Sequence, residues 1–469
     1  MTIKCLFILI VACGCAGTFA ATQNTSATIY DPAEDPIPYK PGRFIHGAPY
    51  EIPSDPWKKE ADKRIDTLRK ANLNIGVVNK MGRRLANVPV HVELMRHDFF
   101  WGAVVNGDFL IGNHNDILES YFLKYFNSGG FENGLKPKQC TMDDCRGASV
   151  SHLSKSAESQ LKWFQEHDIP VRGHALVWEG AGFLSSKMRQ MYENPKWSDE
   201  EKGERMCEHY AQHLDHAVEK WDVMCWDVVN EPRVNHCINE LLPDTDTLVD
   251  WFRKADRARK KYDRDFKLFY NENQIISYVR KDGSFAKHRD IYKSYIKDVL
   301  DAGVSLDGIG MQYRFRGYVE PEEVYRRLCD FEDLGLPYQA TEFEIKSPAR
   351  GGKPFSNSQK KKITAEVLTQ FFSHPNATGL WHWTFMERRR GGSPHALFSF
   401  DGEPRPEAEQ WIKMMEEDFN TDETVQTEKN GIATLRGFKG IYKVTVGKGL
   451  KTKTSIVEVK EDTNLKVVY

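Results

Sequence analysis

From residue 101 to about residue 411, short apolar segments alternate with longer segments whose apolar residues recur with a helical period. Eight of the short segments are predicted to be strands: 101–107, 123–130, 170–178, 225–231, 267–273, 308–313, 338–345 and 379–385. Eight strand–helix units in one domain of about 310 residues are typical of a closed (β/α)8 TIM barrel, an α/β fold. An open doubly wound sheet would carry a Gly-rich phosphate loop after its first strand, and the sequence has none there.

The fourth predicted strand ends in the heptad Trp226–Pro232, which reads WDVVNEP. Its β-branched centre suits a strand that is buried on both faces, and Pro232 lacks the N–H group that would extend the ladder. The heptad therefore places Asn230 and Glu231 at the carboxyl end of a parallel strand, where barrel enzymes carry their catalytic groups. Taken alone, it suits a solvated loop glutamate equally well.

The other predicted strands also end in polar or aromatic side chains. These are Glu132, Asn133 and Lys136 after the second strand, His174 and Trp178 on the third, Asn271 and Glu272 on the fifth, Gln312 on the sixth, Glu342 on the seventh and Trp381 on the eighth. Because the carboxyl ends of barrel strands meet at one rim, these side chains are expected to converge there. Two opposed carboxylates, partners for sugar hydroxyls and flat rings are what glycosidic bond cleavage requires.

Seven segments resemble, in the same order, the motifs of glycoside hydrolase family 10, the xylanase family of (β/α)8 barrels. They are FENGLK, RGHALVW, WDVVNEP, LFYNEN, GIGMQ, ATEFEI and the strand around Trp381, and the ending ALFSFDGEPRPEAEQW resembles that of the family as well. The resemblance covers residues 100–415.

The resemblance implies a retaining hydrolase in which Glu342 is the nucleophile and Glu231 is the general acid/base. Carboxyl groups about 5–5.5 Å apart leave no room for a water molecule beside the sugar, so the nucleophile attacks directly. The implied substrate is a β-1,4-linked plant polysaccharide, xylan first and a cellulose-like glucan second. The residues that the resemblance assigns to substrate binding are Glu132, Asn133, Lys136, His174, Trp178, Asn230, Gln312, Arg314 and Trp381.

Several positions depart from the family pattern. Arg314 stands where the family has a His that contacts the nucleophile, Glu179 replaces a His, Pro137 replaces an aromatic residue and Glu272 replaces an Asp. A fixed cation beside the nucleophile would hold it ionised, which also stabilises its resting state. Two functions therefore remain open: an endo-acting secreted hydrolase, and a secreted carbohydrate-binding protein whose catalysis on the same scaffold is weakened.

The N-terminal residues predict a secreted protein. Residues 1–20 contain Lys4, the apolar run LFILIVACGCAG and small residues up to Ala20, as a cleaved signal peptide does. Of the nine cysteines, three lie in this segment, which leaves six that could form 15 disulfide patterns, with Cys140–Cys145 able to close a short loop and Cys207, Cys225 and Cys237 flanking the heptad. Glycosylation sequons begin at Asn24 and Asn376.

The barrel is predicted to span residues 99–417 and to carry two additions. Residues 21–98 are interpreted as an irregular leader, a short helix at 56–71 and a β-hairpin around a Met-Gly turn, with Pro89 marking an edge strand. Residues 418–469 alternate β-branched and charged side chains and predict a small antiparallel β module.

The composition and motifs restrict the partners. A net charge of -2 gives no electrostatic basis for binding nucleic acid or an anionic membrane, so the predicted partner is a polysaccharide. No Cys/His spacing suits zinc, and no nucleotide-binding loop is present, so neither a metal nor an organic cofactor is predicted.

Overall fold

The computed structural model describes residues 44–111, 115–140, 148–278, 285–346, 353–389, 391–449 and 451–469. The strands are β1 (Lys70–Val78), β2 (Pro89–His97), β3 (Phe100–Val105), β4 (Ser128–Phe131), β5 (Val171–Gly173), β6 (Cys225–Asn230), β7 (Lys267–Glu272), β8 (Gly308–Met311), β9 (Arg314–Phe315), β10 (Tyr338–Ile345), β11 (Ala377–Trp383), β12 (Asp422–Gln426), β13 (Ile432–Phe438), β14 (Gly440–Lys448), β15 (Lys451–Val459) and β16 (Thr463–Val468).

The helices surround the central strands. They are α1 (Pro56–Arg69), α2 (Asn115–Tyr125), α3 (Pro137–Cys140), α4 (Ala148–Glu166), α5 (Ser186–Tyr192), α6 (Asp199–Lys220), α7 (Cys237–Leu241), α8 (Thr247–Lys261), α9 (Phe285–Asp301), α10 (Pro321–Cys329), α11 (Asn357–Ser373) and α12 (Pro406–Lys413). The position of α1 confirms the helix predicted at residues 56–71.

Eight parallel strands close into the predicted TIM barrel. They follow the order β3, β4, β5, β6, β7, β8, β10 and β11, and β11 pairs with both β10 and β3, so the sheet has no edge. The sixth strand is interrupted after β8, where Tyr313 adopts a left-handed φ of 57°, and the two residues of β9 then pair with β10 further along. This interruption sets Gln312 and Arg314 apart from the regular ladder.

The prediction of a strand at 123–130 is wrong over most of its length. Residues 123–125 belong to α2, and the strand β4 begins only at Ser128. Leu118, Phe122 and Tyr125 lie on one face of that helix and are at most 4% exposed, whereas β4 contains only four residues. A short apolar run does not by itself distinguish a strand from a buried helix. Here the spacing of these three apolar residues at positions i, i+4 and i+7 indicates the helix.

Strands from both ends of the chain form a β-sandwich beside the barrel. In one sheet β1 lies between β13 and β16, and the other sheet has the order β12-β2-β14-β15. The β1–β16 pair is parallel and the remaining pairs are antiparallel. The two sheets share one apolar core that includes Leu73, Val90, Val92, Leu435 and Val444. Residues 70–97 therefore complete the module predicted at 418–469.

Two predictions for the N-terminal region are corrected by this arrangement. The β-hairpin is wrong, because β1 and β2 pair with C-terminal strands in different sheets and not with each other. Only a small turn at Met81-Gly82 forms, closed by a bridge between Val78 and Arg84. Nor is β2 an edge strand: Pro89 is its first residue, and the ladder with β14 begins at Val90, so no β14 partner needs the missing N–H.

The predicted disulfides are not formed by the cysteines that the structure describes fully. Cys207, Cys225, Cys237 and Cys329 are all free thiols. Burial of Cys225 in the barrel wall raises its pKa to about 12, so it is an unreactive thiol. The predicted loop closure by Cys140 and Cys145 involves residue 145, which lies outside the described residues, as do the signal peptide and Asn24. Within the described ranges, no helix has both the length and the apolar character needed to cross a membrane.

Candidate active site

Glu231 follows β6 directly and has a left-handed backbone, with a φ of 57°. Such a conformation is uncommon for residues other than glycine and is concentrated at functional sites. Its carboxylate accepts hydrogen bonds from three uncharged side chains. Gln312 Nε2 donates to Oε1 at 2.5 Å, and Asn235 Nδ2 and Trp178 Nε1 donate to Oε2 at 2.8 and 3.2 Å.

Glu342 lies inside β10 and is only 2% exposed. Its Oε1 accepts from Asn271 Nδ2 at 3.1 Å, and its Oε2 accepts from Nε of Arg314 at 2.8 Å and also from Nη2. Burial raises the pKa of this carboxyl, but the neighbouring Arg314, His174 and Lys136 outweigh that effect and hold the pKa below its ordinary value. Glu342 is therefore ionised at neutral pH, as a carboxylate nucleophile must be.

Two side-chain amides connect the carboxylates. Asn271 Nδ2 donates to Oδ1 of Asn230 at 2.9 Å as well as to Glu342. Gln312 Nε2, which donates to Glu231, also lies 3.5 Å from Oδ1 of Asn230. The predicted convergence of polar strand ends from β6, β7, β8 and β10 is therefore observed at one end of the barrel.

Arg314 is the dominant cation of this site. Its guanidinium bridges Glu342 and Glu344, and its carbon lies 4.8 Å from the centre of the Trp383 ring. The short β9 strand pairs Arg314 with Glu344 in register, which fixes the position of the side chain. Arg314 thus stands beside the nucleophile candidate, in the position that the sequence pattern indicates.

His174 is oriented by a buried ion pair. Its Nδ1 lies 2.7 Å from Oδ2 of Asp227, which also pairs with Arg172, and its Nε2 lies 3.9 Å from Oε1 of Glu342. Burial raises the pKa of Asp227, but the guanidinium of Arg172 and the hydrogen bond to His174 outweigh that effect and hold the pKa below its ordinary value. The carboxylate of Asp227 therefore fixes the ring with Nε2 facing the nucleophile candidate.

Glu132 is already paired in this structure. Arg388, from the segment after β11, makes a two-point ion pair with it, with Nε 3.2 Å from Oε2 and Nη2 in contact with Oε1. Asn133 is adjacent, and its side-chain amide fits with its nitrogen donating to the carbonyl of Glu132 at 3.1 Å and its oxygen accepting from Nη2 of Arg388 at 3.2 Å. Both oxygen atoms of Glu132 therefore face a guanidinium.

Lys136 is 7% exposed and lies between two aromatic rings, with Nζ 4.8 Å from the ring centre of Trp178 and 5.2 Å from that of Trp383. Burial lowers the pKa of Lys136 to about 8, against the opposing charges of Glu342 and Glu132. Lys136 is thus a compact donor in a pocket walled by tryptophans.

The prediction that Trp381 contacts substrate is wrong. Its side chain is 0% exposed, its Nε1 donates to Oγ of Ser128 at 3.2 Å, and its ring packs over Gly102, where a Cβ atom would lie 2.2 Å from it. Trp383, two residues further along β11, is the ring that contacts Lys136, Arg314 and His174. Residues two apart share a strand face, and the segment WHW does not show which of its rings reaches the rim.

Four residues of the site were missed by the sequence reasoning: Asp227, Asn235, Trp383 and Arg388. Asp227 lies within the heptad, and its charge in an otherwise buried strand is a detectable signal. Asn235 follows Glu231 by four residues in a loop, and Arg388 belongs to the run ERRRGG, which looks like a solvated charge cluster. Their roles depend on how loops fold back, which local patterns do not specify.

Two of the departures from the family pattern are buried carboxyl groups behind the site. Glu179 accepts a hydrogen bond from Trp251 Nε1 at 2.5 Å, and burial raises its pKa to about 7. Glu272 accepts from the backbone N–H groups of Arg233 at 3.1 Å and Asn273 at 2.8 Å, and burial raises its pKa to about 8. Both therefore support the loops that carry the site.

Cys329, Glu332 and His374 form a group of three potential metal ligands among the described residues. His374 Nδ1 accepts from the backbone N–H of Asn376 at 3.3 Å, so in the neutral ring Nε2 carries the hydrogen, and it faces Oε1 of Glu332 at 3.2 Å. A ring nitrogen that carries hydrogen is not a metal ligand. The approach of His374 to Glu332 is therefore a close polar contact without hydrogen-bond geometry, and the group carries no metal assignment.

The model of the family described as Glycosyl hydrolase family 10 matches residues 92–406. This span contains all eight strands of the barrel and the candidate site residues described above. The chain belongs to glycosyl hydrolase family 10. The match begins within β2 and ends at the start of α12, so most of the β-sandwich lies outside the family-10 region.

Two curated proteins are similar in sequence to this chain over different lengths. The chain is 24% identical over 399 residues to anti-sigma-I factor RsgI6 of Acetivibrio thermocellus, a match that covers 84% of this chain and 47% of that protein. It is 27% identical over 259 residues to endo-1,4-beta-xylanase A of Caldicellulosiruptor saccharolyticus, covering 52% of this chain and 67% of that enzyme. The chain thus spans about half the length of RsgI6.

Solved structures confirm the barrel fold. Native xylanase 10B from Thermotoga maritima superposes with a TM-score of 0.54 at 20% identity, over 68% of this chain and 96% of that one. Xylanase 10B from Thermotoga petrophila RKU-1, solved in complex with xylobiose, gives a TM-score of 0.53 at 21% identity, over 68% and 95% of the two chains.

Proposed function

We propose that this family-10 chain is a secreted, endo-acting, retaining glycoside hydrolase that cleaves the β-1,4 bonds of xylan. The observation that carries the proposal is the contrast between Glu231 and Glu342, which share one network at the end of the barrel. Glu342 is buried and held ionised by neighbouring cations, whereas the hydrogen-bond donors of Glu231 are uncharged side chains. A nucleophile and a general acid need environments that differ in this way.

In the first step, an oxygen of Glu342 bonds to the anomeric carbon while the bond to the leaving oxygen breaks, and Glu231 gives its proton to that oxygen. In the second step, the Glu231 carboxylate takes a proton from water. The water oxygen bonds to the anomeric carbon as the bond to Glu342 breaks. Two inversions at the same carbon give net retention of configuration.

Arg314 acts on the two steps in opposite directions. Its contact with Oε2 of Glu342 lowers the basicity of the attacking carboxylate, which slows formation of the glycosyl-enzyme. The same contact makes that carboxylate a better leaving group in the second step. Formation of the glycosyl-enzyme is therefore expected to limit turnover.

The remaining side chains form the sugar-binding surface of the proposed enzyme. His174 lies beside the nucleophile and Asn230 is joined to it through Asn271, and both suit the hydroxyl groups of the sugar that is attacked. Lys136 supplies a donor between the rings of Trp178 and Trp383, whose faces provide apolar walls. Glu132 and Asn133 would contact other hydroxyl groups of the same sugar, with Arg388 as part of the same binding surface.

Similarity to named proteins supports xylan as the substrate. Caldicellulosiruptor endo-1,4-beta-xylanase A is a curated relative, and the Thermotoga petrophila enzyme was solved with xylobiose. A cellulose-like glucan is the second polymer to test. Secretion is proposed from the sequence of residues 1–20.

The experiment that tests the proposed function is the release of reducing ends from soluble xylan and from a soluble β-glucan. Wild type is expected to degrade xylan with a rapid fall in chain length, and Glu342→Gln is expected to lose at least 1,000-fold in rate, as removal of a covalent nucleophile does. Glu322→Gln, an exposed change on α10, is the matched control and should keep wild-type activity. A wild type without activity on either polymer would overturn the proposal.

The second candidate function is polysaccharide binding with weak catalysis. The pairing of both Glu342 with Arg314 and Glu132 with Arg388 favours it, because both carboxylates are engaged before sugar binds. A binding protein would be retarded in a xylan-containing gel without releasing reducing ends, whereas the hydrolase releases them.

A further inference from the structure

The loop after β6 folds back onto the carboxylate of Glu231. The backbone N–H groups of Val234 and Asn235 donate to the carbonyl of Glu231 at 3.1 and 2.9 Å, which closes a tight turn. This turn brings Nδ2 of Asn235 to 2.8 Å from Oε2 of the same residue. Asn235 thus contacts the proposed proton donor through both its backbone and its side chain.

The position of Asn235 is fixed by close packing. Gly180 lies directly against it, and a Cβ atom at Gly180 would lie 2.3 Å from Oδ1 of Asn235. Any side chain at residue 180 would therefore displace the amide. The glycine permits an approach that holds Asn235 in one orientation.

Glu179 secures the same loop from below. Its backbone pairs with His236 and Cys237, and its carboxylate accepts from the backbone N–H groups of Ile238 and Asn239 at the start of α7. Trp251 Nε1 closes this set of donors at 2.5 Å. The loop that carries Asn235 is therefore attached at both ends to buried groups.

We propose that Asn235 is a positioning residue that selects which oxygen of Glu231 carries the transferable proton, and that Glu179 anchors the loop that presents it. This inference rests on the proposed function, because it assigns a role within the same acid/base step.

A carboxylate has four lone-pair positions, two on each oxygen. Both positions on Oε2 are engaged, by Asn235 and Trp178, and one on Oε1 is engaged by Gln312. The remaining position is on Oε1, so the proton of the acid form is placed there. Without Asn235, a position on Oε2 becomes open, and part of the population carries the proton on the wrong oxygen.

The consequence depends on the leaving group. A sugar leaving group needs the proton because its oxygen is strongly basic, and general acid catalysis contributes about 10²–10⁴-fold in rate. A dinitrophenolate leaves without protonation. Loss of a group that only positions the proton should therefore slow cleavage of a xylo-oligosaccharide and spare cleavage of an activated aryl glycoside.

The experiment compares kcat/KM for xylopentaose and for 2,4-dinitrophenyl β-xylobioside in the full chain, since this ratio reports the first bond-breaking step. Asn235→Ala and Asn235→Leu are expected to lose about 10–100-fold on xylopentaose and less than about 3-fold on the aryl glycoside, within the range of general acid catalysis. Leucine is close to asparagine in size, lacks the N–H donor and adds no charge beside Glu231, so it separates hydrogen bonding from packing. Asn194→Ala, at an exposed turn, is the matched control.

The anchor is tested by Glu179→Gln, which preserves the volume but brings an amide N–H against the backbone donors of α7. It is expected to show the same dependence on the leaving group, with a smaller loss on xylopentaose. Equal losses on both substrates, or no loss on xylopentaose, would overturn the role of the mutated residue while leaving the proposed function intact. A wild type inactive on both substrates would overturn the proposed function and this role with it.

Discussion

Replacement of Arg314 by methionine removes the guanidinium that lies between Glu342 and Glu344 while keeping much of the side-chain volume. The side chain of Arg314 is 22% exposed, and those of the two glutamates are 3% and 9% exposed. Removal of one partner of a buried ion pair costs about 3–5 kcal/mol. Because the guanidinium is partly exposed, the expected loss in the free energy of unfolding at pH 7 is about 3 kcal/mol, at the lower end of that range.

The loss should depend on pH in a defined direction. In the wild type, the pKa of Glu342 is lowered despite its burial, so the stability it contributes is present above its unfolded pKa and is lost as the pH falls through the lower folded pKa. In the variant, burial without the guanidinium should raise the pKa of Glu342 and raise further that of Glu344, which burial already raises in the wild type. Both groups should then take up protons at a higher pH than in the wild type, so the cost of the substitution should be smaller at pH 5 than at pH 7.

Urea unfolding of the wild type and Arg314→Met at pH 7 and pH 5 measures both quantities. Arg316→Met, two residues away and exposed, is the control for loss of a positive charge in this loop and should change stability by less than about 0.5 kcal/mol. If Arg314→Met were as stable as the wild type at pH 7, or equally destabilised at both pH values, the guanidinium would not be compensating two buried charges.

Three further predictions concern the core, the site and the domain arrangement. Burial, with smaller effects of His216 and His209, lowers the pKa of His213 to about 3, so the wild type loses stability as the pH falls below the unfolded pKa of 6.5. In urea unfolding, the free energy of unfolding of His213→Phe relative to wild type should rise by about 2 kcal/mol from pH 8 to pH 5, and no rise would refute this. Trp383→Ala should reduce kcat/KM on xylan at least about 10-fold, whereas Trp381→Phe should lower the melting temperature with a smaller effect on kcat/KM. The reverse pattern would show that Trp381, and not Trp383, contacts the substrate. Removal of residues 419–469 should leave the apolar faces of β1 and β2 without partners, so that soluble yield falls; a soluble, monomeric product would show that the sandwich is dispensable.

The barrel and most of the site could be predicted because they depend on local patterns and on one geometric rule. Strands with apolar centres and polar ends, such as the one that carries Glu231, converge at the carboxyl rim once the fold is known to be a closed parallel barrel. The contacts of Gln312 with Glu231, and of Arg314 and Asn271 with Glu342, follow from this convergence. The rule does not say which residue of a strand lies at the rim, and for this reason the sequence pattern assigns substrate contact to Trp381 instead of Trp383.

The β-sandwich could not be predicted in the same way, because its strand partners are far apart in sequence. Leu73 of β1 pairs with Leu435 of β13, and Val92 of β2 pairs with Val444 of β14. Alternation of side chains shows that each segment is a strand, but it does not identify the partner. Two successive strands with a Gly turn between them suit a hairpin locally, and only the burial of both apolar faces against the C-terminal strands decides against it.

The loops that complete the site are the least predictable part. The position of Asn235 depends on a left-handed residue at Glu231 and on the absence of a side chain at Gly180. The position of Arg388 depends on a segment beyond the last barrel strand that reaches back to Glu132. Neither contact is encoded in the periodicity of a helix or strand.

In the proposed mechanism, Glu342 forms a covalent bond with the sugar. Incubation of the protein with 2,4-dinitrophenyl 2-deoxy-2-fluoro-β-xylobioside, followed by intact mass measurement and peptide mapping, tests it directly. The fluorine slows both formation and hydrolysis of the glycosyl-enzyme, and the dinitrophenolate leaving group keeps formation fast, so the intermediate accumulates. One added fluoroxylobiosyl group is expected, located on Glu342 and absent from Glu342→Gln. A label on another carboxylate, or cleavage of xylan with no label on the protein, would contradict it.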